Sequence, residues 1–140
     1  MGNSHPDYPD DAPEFMVSGK YEAKCISVYD GDTITVIIFV KKSPYKFKVR
    51  VFGVDTPELK PLKNISNRDN IIKLAKEAKD FTSEKVLNKE ITLELKGKEK
   101  FGRLLAEVFY SDEGKKYLLS EELLKGGYGK EYFGKKKEEF

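Results

Sequence analysis

The sequence predicts one small domain of the α+β class, mainly β, and three observations support this. The chain has 140 residues, 39% of them apolar and 36% charged, which is enough to bury a single core. Segments with a period of two predict strands, while one long segment and one short one repeat at helical spacing. No stretch approaches the roughly 18 consecutive apolar residues of a transmembrane helix, so we expect no membrane-spanning segment.

The first three strands are predicted as an antiparallel meander. Residues 21–29 and 33–40 flank a tight Asp-Gly turn, and the second run, TITVIIFV, is rich in β-branched residues. A loop around residues 43–44 follows. Residues 46–54 then alternate apolar side chains with basic ones, which predicts the third strand.

The rest of the chain adds two helices and two strands. Apolar residues recur at helical spacing over 71–87, and alternation returns at 91–95 and again at 103–110 after a basic turn. A short helix is expected over 118–125, ending at a Gly-Gly pair. Five strands, with one helix between the third and fourth and a short helix after the fifth, is the order of an OB-fold barrel. This fold often binds oligonucleotides or oligosaccharides.

The ends of the chain differ in composition from its middle. Residues 1–16 contain four acids, three prolines and no Lys or Arg, so we interpret them as a disordered leader without the pattern of a signal peptide. The folded domain is expected over 17–134, with a charged tail at 135–140. The chain carries a net +2, so the part after residue 16 carries +6, which is compatible with a polyanionic partner.

The rarity of two residue types excludes several chemistries. Cys25 is the only cysteine, which excludes an internal disulfide framework and a multi-cysteine zinc site. His5 is the only histidine and lies in the predicted leader, so a catalytic histidine in the core is not expected. Carboxylates, arginines, lysines or tyrosines must then carry any catalysis.

Acidic residues follow two predicted strands that are neighbours in the meander. The first motif is Asp30-Gly31-Asp32-Thr33, which by itself is also a common hairpin turn, and which lacks the Gly and Glu of an EF-hand loop. The second motif is Asp55-Thr56-Pro57-Glu58, directly after the third strand. Acids at neighbouring strand ends can converge, and carboxylate oxygens without His or Cys suit Ca²⁺ or Mg²⁺.

Two arginines stand out in a lysine-rich chain. Only three of the 26 basic residues are arginines, and one of them, Arg50, lies within a predicted strand. Another, Arg103, follows Phe101-Gly102 at the start of the fifth strand. Either can be an exposed surface cation, but a planar guanidinium also binds phosphate through two parallel hydrogen bonds.

These motifs together resemble the staphylococcal nuclease (thermonuclease) family. The shared features are DGDT, an arginine five residues before DTPE, and FGR some 45 residues after that, all at strand ends and in the family's order. The similarity covers roughly residues 20–134. It implies an OB-fold phosphodiesterase that uses Ca²⁺ to cleave DNA and RNA without sequence specificity, leaving 3′-phosphate ends.

The resemblance also implies roles for individual residues. Asp32 and Asp55 would be carboxylate ligands of Ca²⁺, Thr56 would add its backbone carbonyl, and Asp30 would support the metal loop. Glu58 would act on the attacking water, and the scissile phosphate would be held by Arg50 and Arg103. Substrate contacts would come from Lys100, Phe101, Tyr132 and Phe133, although the family prototype has tyrosines where this chain has Phe101 and Phe133.

Two other functions remain as alternatives from the sequence. One is a catalytically inactive module of the same fold that binds nucleic acid or protein, although such modules usually lack one of the five residues Asp32, Arg50, Asp55, Glu58 and Arg103. The other is a carbohydrate-binding OB domain with a structural Ca²⁺, which leaves the two arginines without a purpose. We expect a monomer acting on single-stranded or unpaired nucleic acid, with no membrane partner. Calcium dependence and the danger of a nuclease to the host genome favour a location outside the cytoplasm, while the single cysteine and the absence of a signal-peptide pattern leave an intracellular nuclease as the alternative.

Overall fold

Within residues 19–59, 61, 63, 66–99 and 102–132, which the computed structural model describes, the chain has the predicted α+β fold. The predicted leader at 1–16 and tail at 135–140 lie outside these residues. The elements in chain order are β1 (Gly19–Asp30), β2 (Thr33–Val40), β3 (Ser43–Val51), β4 (Gly53–Asp55), α1 (Arg68–Val86), β5 (Glu90–Lys98), β6 (Leu104–Asp112), β7 (Lys115–Leu118), α2 (Leu119–Lys125) and β8 (Lys130–Tyr132).

Five of these strands close into a barrel. Strands β3, β2, β1, β5 and β6 are neighbours in that order and pair antiparallel, and a parallel pairing of β3 with β6 joins the two ends. The apolar positions of each strand point inward, which explains the period of two in the sequence. Fully buried side chains from four of the strands fill the interior: Ile34, Val36, Val49, Val51, Leu93 and Val108. This is the expected OB-fold barrel.

Three local predictions were wrong. The loop expected around Ser43 is part of β3, because the hairpin turns on two residues, Lys41 and Lys42, both with positive φ (49° and 72°). A two-residue turn of this kind matches the twist of the flanking strands. The predicted third strand is in fact two, because the chain turns at Phe52 and Gly53 (φ 95°), and β4 then pairs with β8 instead of β2. Neither β7 nor β8 was predicted.

Helix α1 supports the turn between β1 and β2. Its buried side chains are small, and Ala78 lies so close to Gly31 that an added Cβ on the glycine would come within 2.8 Å of the alanine Cβ. The Thr82 hydroxyl donates a buried hydrogen bond of 2.7 Å to the Gly31 carbonyl. Helix α1 therefore holds the backbone of the Asp-Gly-Asp turn in place through these contacts with Gly31. No helix in the described ranges is long and apolar enough to cross a membrane.

Candidate active site

The register of the barrel brings the two acidic motifs and Arg50 together. Thr33, the first residue of β2, pairs with Arg50 near the end of β3, which places this arginine beside the turn between β1 and β2. The Val51 amide also donates a 2.8 Å hydrogen bond to the Asp32 carbonyl, which ties the end of β3 to the turn. Four residues later the chain reaches Asp55, which is buried and ends β4. Both strand ends thus open at the same rim of the barrel.

Arg50 is the buried centre of this arrangement, with only 6% of its surface exposed. Its Nη1 donates to the carbonyls of Val51 (2.9 Å) and Val54 (2.7 Å), and its Nη2 donates to Asp55 Oδ1 (3.1 Å). Asp32 Oδ2 lies 3.5 Å from Nη1. Three of the five guanidinium N–H groups are used in these bonds, and among the described residues the other two have no hydrogen-bond acceptor.

The Asp32 carboxylate is held in place from several sides. Oδ1 accepts a 3.0 Å hydrogen bond from the Thr33 hydroxyl, and Oδ2 accepts one of 2.9 Å from the backbone amide of Thr56. Burial raises the pKa of Asp32, but hydrogen bonding to Asp30, the charge of Arg50 and the Thr56 amide together outweigh burial and lower it. Asp32 is therefore an anion at neutral pH.

Asp30 has the opposite electrostatic behaviour. Burial raises its pKa to about 7, and its hydrogen bond to the Asp32 side chain and the negative charge of Asp32 act in the same direction. Two carboxyl groups crowded in one partly desolvated turn favour sharing a proton. The turn therefore holds the Asp32 anion beside a second carboxyl group that ionises more readily when a cation is bound nearby.

These residues line a single pocket of about 280 Å³. Seven predicted site residues border it, namely Asp30, Asp32, Arg50, Asp55, Thr56, Glu58 and Arg103. Glu58 is exposed at the rim, and the side chain of Arg103 is 39% exposed, with Nη2 placed 2.8 Å from the Glu99 carboxylate. The floor of the pocket thus carries buried charges of both signs, from Arg50 and the aspartates. At its rim, Glu58 and Arg103 are accessible to solvent.

Of the four predicted substrate contacts, the structure describes Tyr132. Tyr132 does not border the pocket; its ring packs against Arg50, with the guanidinium carbon 5.2 Å from the ring centroid. Lys100, Phe101 and Phe133 lie outside the described residues.

Three pocket residues had no predicted role: Tyr29, Leu59 and Thr33, the last of which belongs to the first acidic motif. Tyr29 is 63% exposed at the pocket edge. Its position directly before the Asp-Gly-Asp turn was the available signal, but alternation along β1 alone does not show which face a residue takes after a bulge. The register of β1 against β2 shifts twice in this region.

The donor set suits a hard cation in chemical type. Asp32 and Asp55 offer carboxylate oxygens and Thr56 a backbone carbonyl, without nitrogen or sulfur. In the part of the chain that the structure describes, no group of three or more His, Cys, Asp and Glu side chains is gathered closely enough to hold a metal ion by itself. Backbone oxygens, water or substrate would therefore have to complete the coordination.

Comparison with known proteins agrees with this geometry. The family model of staphylococcal nuclease homologues matches residues 48–140, two thirds of the chain. The chain belongs to this family. The match begins after the Asp-Gly-Asp turn, so it includes Arg50, Asp55, Glu58 and Arg103 but not Asp30 or Asp32.

Two curated relatives extend the comparison. An uncharacterized protein of Methanocaldococcus jannaschii is 31% identical over 127 residues, covering 80% of this chain and 59% of the relative. The thermonuclease of Staphylococcus intermedius is 35% identical over 88 residues, covering 61% of this chain and 47% of the relative. The chain thus spans about half the length of the curated relatives it matches. As a staphylococcal nuclease homologue, it contains a nuclease-type domain on an OB-fold barrel.

Proposed function

We propose that this staphylococcal nuclease homologue is a calcium-dependent phosphodiesterase that cleaves DNA and RNA without sequence specificity and leaves 3′-phosphate ends. The observation that carries the proposal is the grouping of Arg50, Glu58 and Arg103 with three aspartates around one solvent-accessible pocket. Family membership and the similarity to a thermonuclease support the same reaction class.

The two arginines supply fixed positive charge for a phosphodiester. Attack on phosphorus builds negative charge on the phosphate oxygens, and guanidinium groups aimed at them stabilise the transition state. Arg50 is held rigidly by two backbone carbonyls and Asp55, so its two remaining N–H groups are oriented before the substrate binds. Arg103 is more exposed and pairs with Glu99, so a phosphate would have to compete with that carboxylate.

Glu58 is the residue in this pocket best placed to handle the attacking water. It lies at the exposed rim, where water reaches it, and it stands only three residues after Asp55. A carboxylate at this position can orient a water molecule and accept its proton, a role that typically contributes about 10²–10⁴-fold to the rate.

Asp32, Asp55 and the Thr56 carbonyl would hold the calcium ion, and Asp30 would support them through its bonds to Asp32. When bound, such a cation polarises a phosphoryl oxygen and neutralises developing charge. Burial and the neighbouring Asp32 carboxylate raise the pKa of Asp30 to about 7, and a cation bound beside both acids would favour their ionised forms.

The test is digestion of single-stranded DNA with millimolar Ca²⁺, with EDTA and Mg²⁺ as controls, comparing the wild type with Glu58→Gln. Glu77→Gln is the matched control, because Glu77 is an exposed glutamate on α1, away from the pocket. We expect calcium-dependent cleavage with 3′-phosphate ends that falls about 10²–10⁴-fold in Glu58→Gln only. Folded wild-type protein that binds DNA without cutting it would refute the proposal in favour of an inactive binding module.

A further inference from the structure

The outer face of the hairpin formed by β2 and β3 extends from the pocket to the turn of the hairpin. Residues directly opposite each other on neighbouring strands point to the same side of a sheet. Thr35 pairs with Lys48, Ile37 with Lys46 and Phe39 with Pro44, in line with the pair of Thr33 and Arg50 at the pocket. We call the five residues Thr35, Ile37, Phe39, Lys46 and Lys48 the hairpin face.

This face is open to solvent along its length. Lys46, Lys48 and Phe39 are exposed, and Thr35 and Ile37 are half-buried, whereas the alternate residues of β2 point into the barrel and are buried. Side chains at 46, 48 and 50 lie on one side of β3, so the two lysines continue the row that starts with Arg50.

The hairpin face carries uncompensated positive charge. Neither Lys46 nor Lys48 forms an ion pair with any residue that the structure describes. Across the row, Ile37 pairs with Lys24 of β1, which in turn pairs with Glu90 of β5, while Glu22 accepts a hydrogen bond from the Thr92 hydroxyl on β5. A polyanion is the ligand that matches such a row.

Exposed aromatic rings stand at both ends of the row. Phe39 is 67% exposed near the hairpin tip, and Tyr29 is 63% exposed at the pocket. Leaving the apolar ring of Phe39 in contact with water is unfavourable in free energy. Unpaired nucleic acid offers bases that stack on such a ring and cover it. A duplex keeps its bases stacked internally, so this pattern favours a single strand.

We propose that the hairpin face binds the single-stranded DNA or RNA that extends out of the pocket, with Lys46 and Lys48 on phosphates and Phe39 under a base. The proposal rests on the proposed function, because it extends the same substrate. At about 3.3 Å per residue, Lys46 lies about 13 Å and Phe39 about 20 Å along the strands from Arg50. One OB fold binds roughly 4–16 nucleotides, so a strand bound at the pocket is long enough to reach both residues.

The test compares a dinucleotide, whose single phosphodiester is held at the pocket, with an oligothymidine of about 12 nucleotides. The variants are Lys46→Ala/Lys48→Ala and Phe39→Ala. The matched control is Lys73→Ala/Lys76→Ala, which removes two exposed lysines from α1. Cleavage is measured as kcat/KM on both substrates, and binding of the longer one is measured by fluorescence anisotropy in EDTA over a range of salt.

For the double lysine variant, we expect the ratio of kcat/KM on the long substrate to that on the short one to fall about tenfold. The slope of log affinity against log salt should fall by about 1.4, which corresponds to two lost phosphate contacts. Phe39→Ala should weaken binding at least about fivefold with an unchanged salt slope. The α1 variant should retain the wild-type values.

Equal losses in the hairpin and α1 variants, or equal losses on both substrates, would overturn the proposal. The binding assay separates it from the proposed function. Binding that depends on the hairpin face without any cleavage by the wild type would support the face and refute the nuclease activity. Cleavage by the wild type that does not depend on the hairpin face would support the nuclease activity and refute the binding role of this face.

Discussion

The two arginines at the pocket allow a sharp prediction, because one is buried in the fold and the other is not. Replacing Arg50 by Met removes hydrogen bonds to two backbone carbonyls and to Asp55, and leaves buried anions at positions 32 and 55 without their cation. Removing one partner of a buried ion pair costs about 3–5 kcal/mol. Arg103→Met removes a single half-exposed pair, which costs at most about 1 kcal/mol.

Thermal and chemical unfolding in EDTA would measure both changes. We expect a free energy of unfolding lower by about 3–5 kcal/mol for Arg50→Met, with a melting temperature lower on the order of 10 °C, and little change for Arg103→Met. Both variants should lose about 10²–10³-fold in cleavage rate when assayed well below their melting temperatures. One substitution would then report on fold and activity, and the other on activity alone.

The pH dependence provides a second check on the same reasoning. Arg50 helps to hold the pKa of Asp32 below its ordinary value of 3.8, so this stabilisation is present above about pH 4 and is lost as the pH falls through the lowered pKa. The difference between wild type and Arg50→Met should therefore be full at pH 7 and shrink below about pH 4. A loss under about 1 kcal/mol, or a difference that does not change with pH, would refute the role of Arg50 as the charge that holds the two acids.

Three further predictions follow from buried contacts. Gly31→Ala should lower the free energy of unfolding by about 1–3 kcal/mol by denaturant titration, because the new Cβ meets Ala78 and Thr56 within 3 Å; an unchanged stability would show that α1 shifts freely. Thr82→Val should cost about 1–3 kcal/mol, since the Gly31 carbonyl loses its buried partner, and a neutral result would assign that carbonyl another donor. Burial raises the pKa of the Cys25 thiol above its ordinary 9.0, so wild-type stability should fall more steeply than that of Cys25→Ala as the pH rises above about 9; parallel curves would contradict this.

The sequence by itself predicted the five barrel strands, both helices and the residue types of the candidate site. The β-branched residues of TITVIIFV and the alternation along residues 46–51 predict strands, and apolar residues at helical spacing predict α1, because burial of one face dictates these periods. The motifs around Asp32, Asp55 and Arg103 stood at strand ends, so their residue types and order were enough to suggest a phosphate and cation site. The only strand neighbours that this prediction used were the consecutive strands of the expected meander.

Tertiary structure decided how those residues meet. Only the pairing of Thr33 with Arg50 and the closure of β3 on β6 bring strand ends that are 18 or more residues apart to one rim. The break at Gly53, the pairing of β4 with β8, and the packing of Tyr132 on Arg50 depend on those long-range contacts as well. Local periodicity reports which face of a strand is buried, whereas register and partner are set by the packing of the whole barrel. For this reason the sequence predicted Arg50 as a phosphate ligand but could not show that it also holds the site together.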